Sequence, residues 1–185
     1  LMNRTHPENV KGFTLIELMV TLAVLAIVLT IAIPSFTSQV RDNRSLTFGD
    51  EFVTALNFAR SEAVKRGRNV SLCAANETQT GCGNDWSNGW LVAVDSAAEN
   101  DNSVDIDDVN TDILRVWDAF GDEMELTVTR NNAVSFVRFT RQGGLPRNSV
   151  NPVLATAKHE SCTGDSARSI RVAVSGAVRA VRVEC

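Results

Sequence analysis

Glu17 is the one carboxylate in an apolar run, FTLIELMVTLAVLAIVLTIAI, that extends from Phe13 to Ile33. An ionised acid at membrane depth costs about 2.5–3.5 kcal/mol on insertion scales, so it calls for a cationic partner. Four cysteines, Cys73, Cys82, Cys162 and Cys185, are the other reactive side chains. No CxxC pair occurs, and His6 and His159 are the only histidines, a poor ligand supply for zinc. Outside the cytoplasm, disulfides are the expected state of such thiols. Three connectivities are open. The local one, Cys73–Cys82 with Cys162–Cys185, is the most economical, and a closed loop of this kind contributes about 2–4 kcal/mol. His159, followed by Glu160 and Ser161, reads as part of a loop. No GxSxG elbow, P-loop, GxGxxG or HExxH is present, so no enzyme, metal or cofactor is expected.

The elements that carry these residues follow from periodicity. A bilayer takes about 20 apolar residues, and the run at Phe13–Ile33 is long enough. Arg4 and Lys11 before it put that end in the cytoplasm by the positive-inside rule. Beyond Pro34 the pattern becomes one-sided, with Phe48, Phe52, Leu56, Ala59 and Ala63 on one helical face. Arg60, Glu62, Lys65 and Arg66 fall on the others, and Gly67 is a stop. One helix is therefore expected from about Phe13 to Arg66, kinked rather than ended by Pro34.

After Gly67 the period becomes two. Strands are expected at 69–73, 89–94, 113–117, 124–128, 134–139, 169–175 and 178–184. No crossover helix separates them, so the sheet should be largely antiparallel and the fold class α+β. At 44% hydrophobic residues the chain can build a core. Acidic residues crowd Asp95–Glu125, where Arg115 is the sole base, whereas Arg138–Cys185 is basic. The acidic stretch DNSVDIDDVNTD (Asp101–Asp112) lacks the sixth-position glycine and final glutamate of an EF-hand and reads as a solvated loop. Trp86 and Trp90 bracket Ser87-Asn88-Gly89, and Trp86 reads as buried rather than as a surface stacking platform.

The junction KG|FTLIE resembles that of a type IV prepilin. The stretches ARSEAVKRGRNVSLC (Ala59–Cys73) and NGWLVAVD (Asn88–Asp95) resemble the FimT/FimU/GspH group of minor pilins and pseudopilins. That resemblance implies the pilin fold and a leader at 1–12, cut by a prepilin peptidase between Gly12 and Phe13. Phe13 then becomes an N-methylated terminus, 13–34 the transmembrane and filament-core helix, 35–67 its amphipathic continuation and 68–185 a periplasmic β-sheet domain. It implies a subunit held in the inner membrane, then built into a pilus with other minor pilins and the major pilin, or into a pseudopilus with other pseudopilins. Initiation of assembly near the tip, in service of adhesion, twitching motility or DNA uptake, is the implied role. Glu17 would then pair with the Phe13 amine of a neighbouring subunit, where low dielectric strengthens the attraction. Pro34 would let the helix bend inside the filament.

Some members of the FimT branch carry a GRxR motif near the C-terminus, which implies DNA binding. Here Gly176 is followed by Ala177, and only Arg179 falls in the matching place. Gly176-Ala177 as the centre of a type II′ turn would set Val172 opposite Val181 and Arg171 opposite Arg182. Such a like-charged pair favours an anion between the two side chains. Candidate DNA contacts are thus Arg171, Arg179 and Arg182, with Arg138, Arg141, Arg147 and Arg168 in support.

Overall fold

The computed structural model describes residues 12–185. The expected leader up to Lys11, with Arg4 and His6, lies outside the described residues. Two compact units divide the chain, one ending at Ser38 and the other spanning Gln39–Cys185. Helix α1 (Leu15–Arg66) begins in the first and runs through Pro34 as helix. In the first unit its apolar side chains point outward all round: Leu15, Leu22, Ile27 and Ile33 are each more than half exposed.

The second unit contains the rest of α1 and nine strands, all paired antiparallel. In chain order these are β1 (Val70–Ala74), β2 (Trp90–Val94), β3 (Ile113–Trp117), β4 (Met124–Arg130), β5 (Asn132–Ala133), β6 (Phe136–Phe139), β7 (Val153–His159), β8 (Ala167–Val172) and β9 (Val178–Val183). They form a four-stranded sheet, β3-β2-β1-β6, and a five-stranded sheet, β5-β4-β7-β8-β9. Phe48, Phe52, Leu56, Ala59 and Ala63 of α1 are buried in one core with residues of both sheets. Phe52 sits edge-on to Trp86 and Trp90 at 5.5 and 5.2 Å between ring centres. Burying each large apolar side chain contributes about 1.5–3 kcal/mol, so this one helical face holds the unit together. Glu62 is also buried, against expectation. Hydrogen bonding to Arg66 (2.7 Å), with Lys65 beside it, holds its carboxyl below the usual range and makes the burial tolerable.

Two expectations for the five-stranded sheet fail. Strand β7 was not expected; its sequence VLATAKH places Val153, Ala155, Ala157 and His159 inward, so His159 ends a strand rather than sitting in a loop. Alanines are weak strand formers, and they are needed here because α1 passes close by: a Cβ added at Gly49 would meet the Ala157 Cβ at 3.5 Å. The β8–β9 hairpin also has a different register. Its loop is Val174-Ser175-Gly176, with Gly176 at φ 79° donating its N–H to the Ala173 carbonyl at 2.7 Å. Three-residue loops of this sort take glycine last, not first. Arg60 of α1 fixes the loop by donating to the Gly143 carbonyl (2.9 Å) and the Ser175 carbonyl (3.4 Å). A Cβ on Gly176 would collide with the Gly143 oxygen. Arg171 therefore faces Arg179, and Arg182 faces Arg168. The expected Arg171–Arg182 pair does not exist.

Arg168, on the inner side of β8 with Ile170 and Val172, crosses α1 where Gly49 leaves room and pairs with Asp50 at 2.8 Å. A Cβ at position 49 would strike the Arg168 Cβ and Cγ. Alanine normally gains about 1 kcal/mol over glycine inside a helix, but overpacking costs about 1–3 kcal/mol. Gly49→Ala should therefore lower the thermal midpoint of the detergent-solubilised chain; a raised midpoint would contradict the close helix–sheet approach.

Candidate functional site

Three places in the structure have the chemistry of a site, and each begins in a short sequence pattern. The first is the start of α1. Thr14-Leu-Ile-Glu17 is a capping box, S/T-x-x-E. The Thr14 hydroxyl oxygen accepts the Glu17 backbone N–H at 3.2 Å, and the Leu18 N–H goes to the Thr14 carbonyl at 3.2 Å. Glu17 thus lies in the first turn, where the helix dipole favours a negative charge. Phe13 beside it is 80% exposed. The carboxylate is stationed within one helical turn of Phe13, and no other acid lies between it and Asp42.

The second place is the loop after β2. Arg138 on β6 is fully buried and its Nε donates to Asp95 Oδ2 at 2.7 Å. Its remaining N–H groups donate to the carbonyls of Ala98, Glu99, Asp101 and Ser103. Asp95 also accepts from the Ser71 hydroxyl and from the N–H groups of Ala97 and Asp105. The acidic segment thus wraps a guanidinium with its own backbone. Val104 and Ile106 pack against the outer cluster of Cys73, Ala75, Leu91 and Ala93, covering the second face of the four-stranded sheet. The loop is a structural flap and not merely solvated. The alternation in SVDID, apolar inward and acidic outward, is the sequence signal for it. Among the described residues no three His, Cys, Asp or Glu side chains converge to hold a metal ion.

The third place is the open face of the five-stranded sheet. Thr129, Leu154, Arg171 and Arg179 form one cross-strand row, and Thr127, Thr156, Ser169 and Val181 the next. Arg171 and Arg179 are exposed neighbours of like charge. Of the other arginines expected to join them, Arg138 is consumed by Asp95 and Arg168 by Asp50. Arg182 sits on the opposite side from Arg171, and Arg141 is exposed beside Gly67 and Arg68 at another site. Arg147 is exposed on the loop after β6, where its backbone N–H donates to Glu99 Oε1 at 2.8 Å. The basic C-terminal region is thus dispersed.

The remaining candidates are structural. Cys73 is bonded to Cys82 and Cys162 to Cys185. The Trp86 indole N–H donates to the Val134 carbonyl at 3.0 Å, and its ring lies in the core. His159 Nδ1 accepts the Ser161 N–H at 3.0 Å, so Nε2 carries the proton and donates to Glu123 Oε2 at 2.9 Å. The nearby Ser45 hydroxyl oxygen accepts the His159 backbone N–H, not a ring contact. Both ring nitrogens are occupied.

A long N-terminal helix, apolar outward at its start and packed at its end under two antiparallel sheets, defines the pilin class of fold. The family model described as Type II transport protein GspH matches residues 49–177, and the prokaryotic N-terminal methylation motif matches residues 9–33. The chain belongs to the GspH family of pilin-like subunits. Its fold is similar to that of the Pseudomonas aeruginosa (strain PAO1) type IV minor pilin FimU in two crystal forms. The P21 form is 23% identical at a TM-score of 0.56, over 74% of this chain and 87% of that one. The P65 form is 23% identical at 0.54, over 73% and 90%. No curated protein sequence matches.

Removing one partner of a buried ion pair costs about 3–5 kcal/mol. Arg138→Met should destabilise the chain on that scale and speed amide exchange across Asp95–Asp105, whereas a chelator should leave wild-type exchange unchanged. Slow exchange in the variant, or a chelator effect, would contradict the guanidinium-centred flap.

Proposed function

We propose that the protein is a minor pilin of a type IV pilus, a non-enzymatic subunit that helps initiate filament assembly at or near the tip. The observation that carries this reading is the exposed apolar start of α1 with its single carboxylate in the first turn. Together with the methylation motif over residues 9–33, it supports cleavage between Gly12 and Phe13 by a prepilin peptidase and methylation of Phe13. The apolar segment holds the subunit in the inner membrane, with the unit Gln39–Cys185 in the periplasm, until it is extruded into the filament among other minor pilins and the major pilin. Glu17 then pairs with the Phe13 amine of a neighbour, a charge pair whose desolvation is offset only in the correct docking register. Pro34 lies within the same packed helix and eases its bending.

The description of the matched family favours one second reading, a GspH-like pseudopilin of a type II secretion system. The helix chemistry is the same in both. A DNA-binding tip subunit is a weaker reading, because Arg171 and Arg179 are left without Arg138 and Arg168 as helpers.

Glu17→Gln isolates the charge, since glutamine also serves the third position of a capping box. The variant should reach wild-type levels in the membrane and be depleted from sheared filaments. Wild-type abundance in the filament fraction would sink the pairing.

A further inference from the structure

Among the described residues the two sheets leave four edge strands, and three of them are blunted. β5 has two residues, β6 is almost wholly buried, and β3 pairs with β2 across an irregular register at Val92/Ala93. The fourth, β9, runs six residues in unbroken register with β8. Before and after it, the Ala173 N–H donates to the Ala177 carbonyl at 2.9 Å and the Cys185 N–H to the Gly164 carbonyl at 3.0 Å. Odd-numbered residues of β9 thus bond toward β8, and Val178, Ala180 and Arg182 turn their backbone N–H and C=O outward. Those outward groups have no hydrogen-bond partner among the described residues.

Both ends of this edge are fixed. Arg60 holds the hairpin loop through Gly143 and Ser175, and the Cys162–Cys185 disulfide holds the far end. An exposed edge of this kind is a template on which an extended chain adds as a further strand. Because β9 is already ordered, little ordering cost remains on its side.

The side chains decide which chain fits. Segment 167–183 carries four arginines and no acid, and Glu184 lies beyond the strand. Arg168 is paired with Asp50, but Arg179 and Arg182 are exposed and in no ion pair among the described residues. Arg179 shares the open face with Val181, and Arg182 shares the other face with Ala180. A strand laid on β9 therefore needs acids three residues apart, one on each face, with β-branched residues between them opposite Ala180 and Val181. A second copy of β9 brings only more arginine, so edge-to-edge self-pairing is disfavoured.

We propose that the free edge of β9 takes an extended segment of another protein as an added strand, and that this segment carries acids in acid-x-x-acid spacing opposite Arg179 and Arg182. The surface is separate from the start of α1, and its test does not depend on filament assembly.

The end-capped peptide TEVTEV, titrated into the full detergent-solubilised chain at constant ionic strength, tests the edge. Saturable millimolar binding is expected, with slowed amide exchange concentrated at Val178, Ala180 and Arg182. The basic peptide TKVTKV should not bind, and TEVPEV, equally acidic but lacking a central N–H, should bind far more weakly. Ala180→Pro removes an outward N–H that β8 does not use, so the variant should keep the wild-type thermal midpoint and lose the peptide. If it does not fold, Arg179→Glu decides: affinity should fall about fivefold or more, the scale of one reversed cross-strand charge pair, and unchanged affinity contradicts the proposal. Arg41→Gln, an exposed charge on α1, should bind as wild type. No saturable binding, equal binding of TKVTKV, or wild-type affinity in folded Ala180→Pro would overturn the added strand. Equal binding of TEVPEV would reduce the surface to plain attraction for polyanions and overturn it as well.

Discussion

A single helix has to satisfy two surroundings, and much of the structure answers to that constraint. From Leu15 to Ile33 the large apolar side chains of α1 are between 45% and 76% exposed. Moving them out of water is favourable by on the order of 10 kcal/mol or more, at about 25 cal/mol per Å² of apolar surface. Against that, the few kcal/mol charged by one carboxylate is small. Glu17 therefore does not keep the segment out of a membrane. In the assembly we propose, it gives an otherwise featureless apolar rod one position where register matters.

The second half of α1 solves the opposite problem with a single apolar face and close approach. Gly49 and Ala157 are small where the helix crosses the five-stranded sheet, and the Arg168 stem fills the space between with Asp50 as its partner. Arg138 plays the same kind of part on the other sheet, tying the flap across its outer face through Asp95. Two arginines that look like surface charges are thus internal fixtures. This is why a count of basic residues toward the C-terminus overstates the anion-binding surface. Of the exposed remainder, Arg171 and Arg179 are the pair that lies side by side, on a flat row of threonine, leucine and arginine.

Much of this was legible from residue pattern alone. The helix face, its end at Gly67 and most strands followed from periods of 3.6 and 2, because their inward positions carry large apolar residues. Strand β7 was hidden because its two central inward residues, Ala155 and Ala157, are small for the sake of α1 and not for the strand. The hairpin register was misread because Gly176 suits either the first place of a two-residue loop or the last of a three-residue one. The contact that decides between them, Arg60 to Gly143 and Ser175, lies far away in sequence. Likewise the flap depended on Arg138 reaching loop carbonyls at 98–103, a pairing no local pattern announces.

The central proposal is that the apolar start of α1 is the filament-forming helix of a mature chain that begins at Phe13. Intact-mass analysis with N-terminal sequencing of the chain extracted from its native membrane tests it most directly. The account predicts a mature protein that starts at N-methylated Phe13 and retains Glu17 in its first turn. A mature terminus beyond the apolar run, near Ser35, or an uncut chain still carrying Lys11-Gly12, would contradict it.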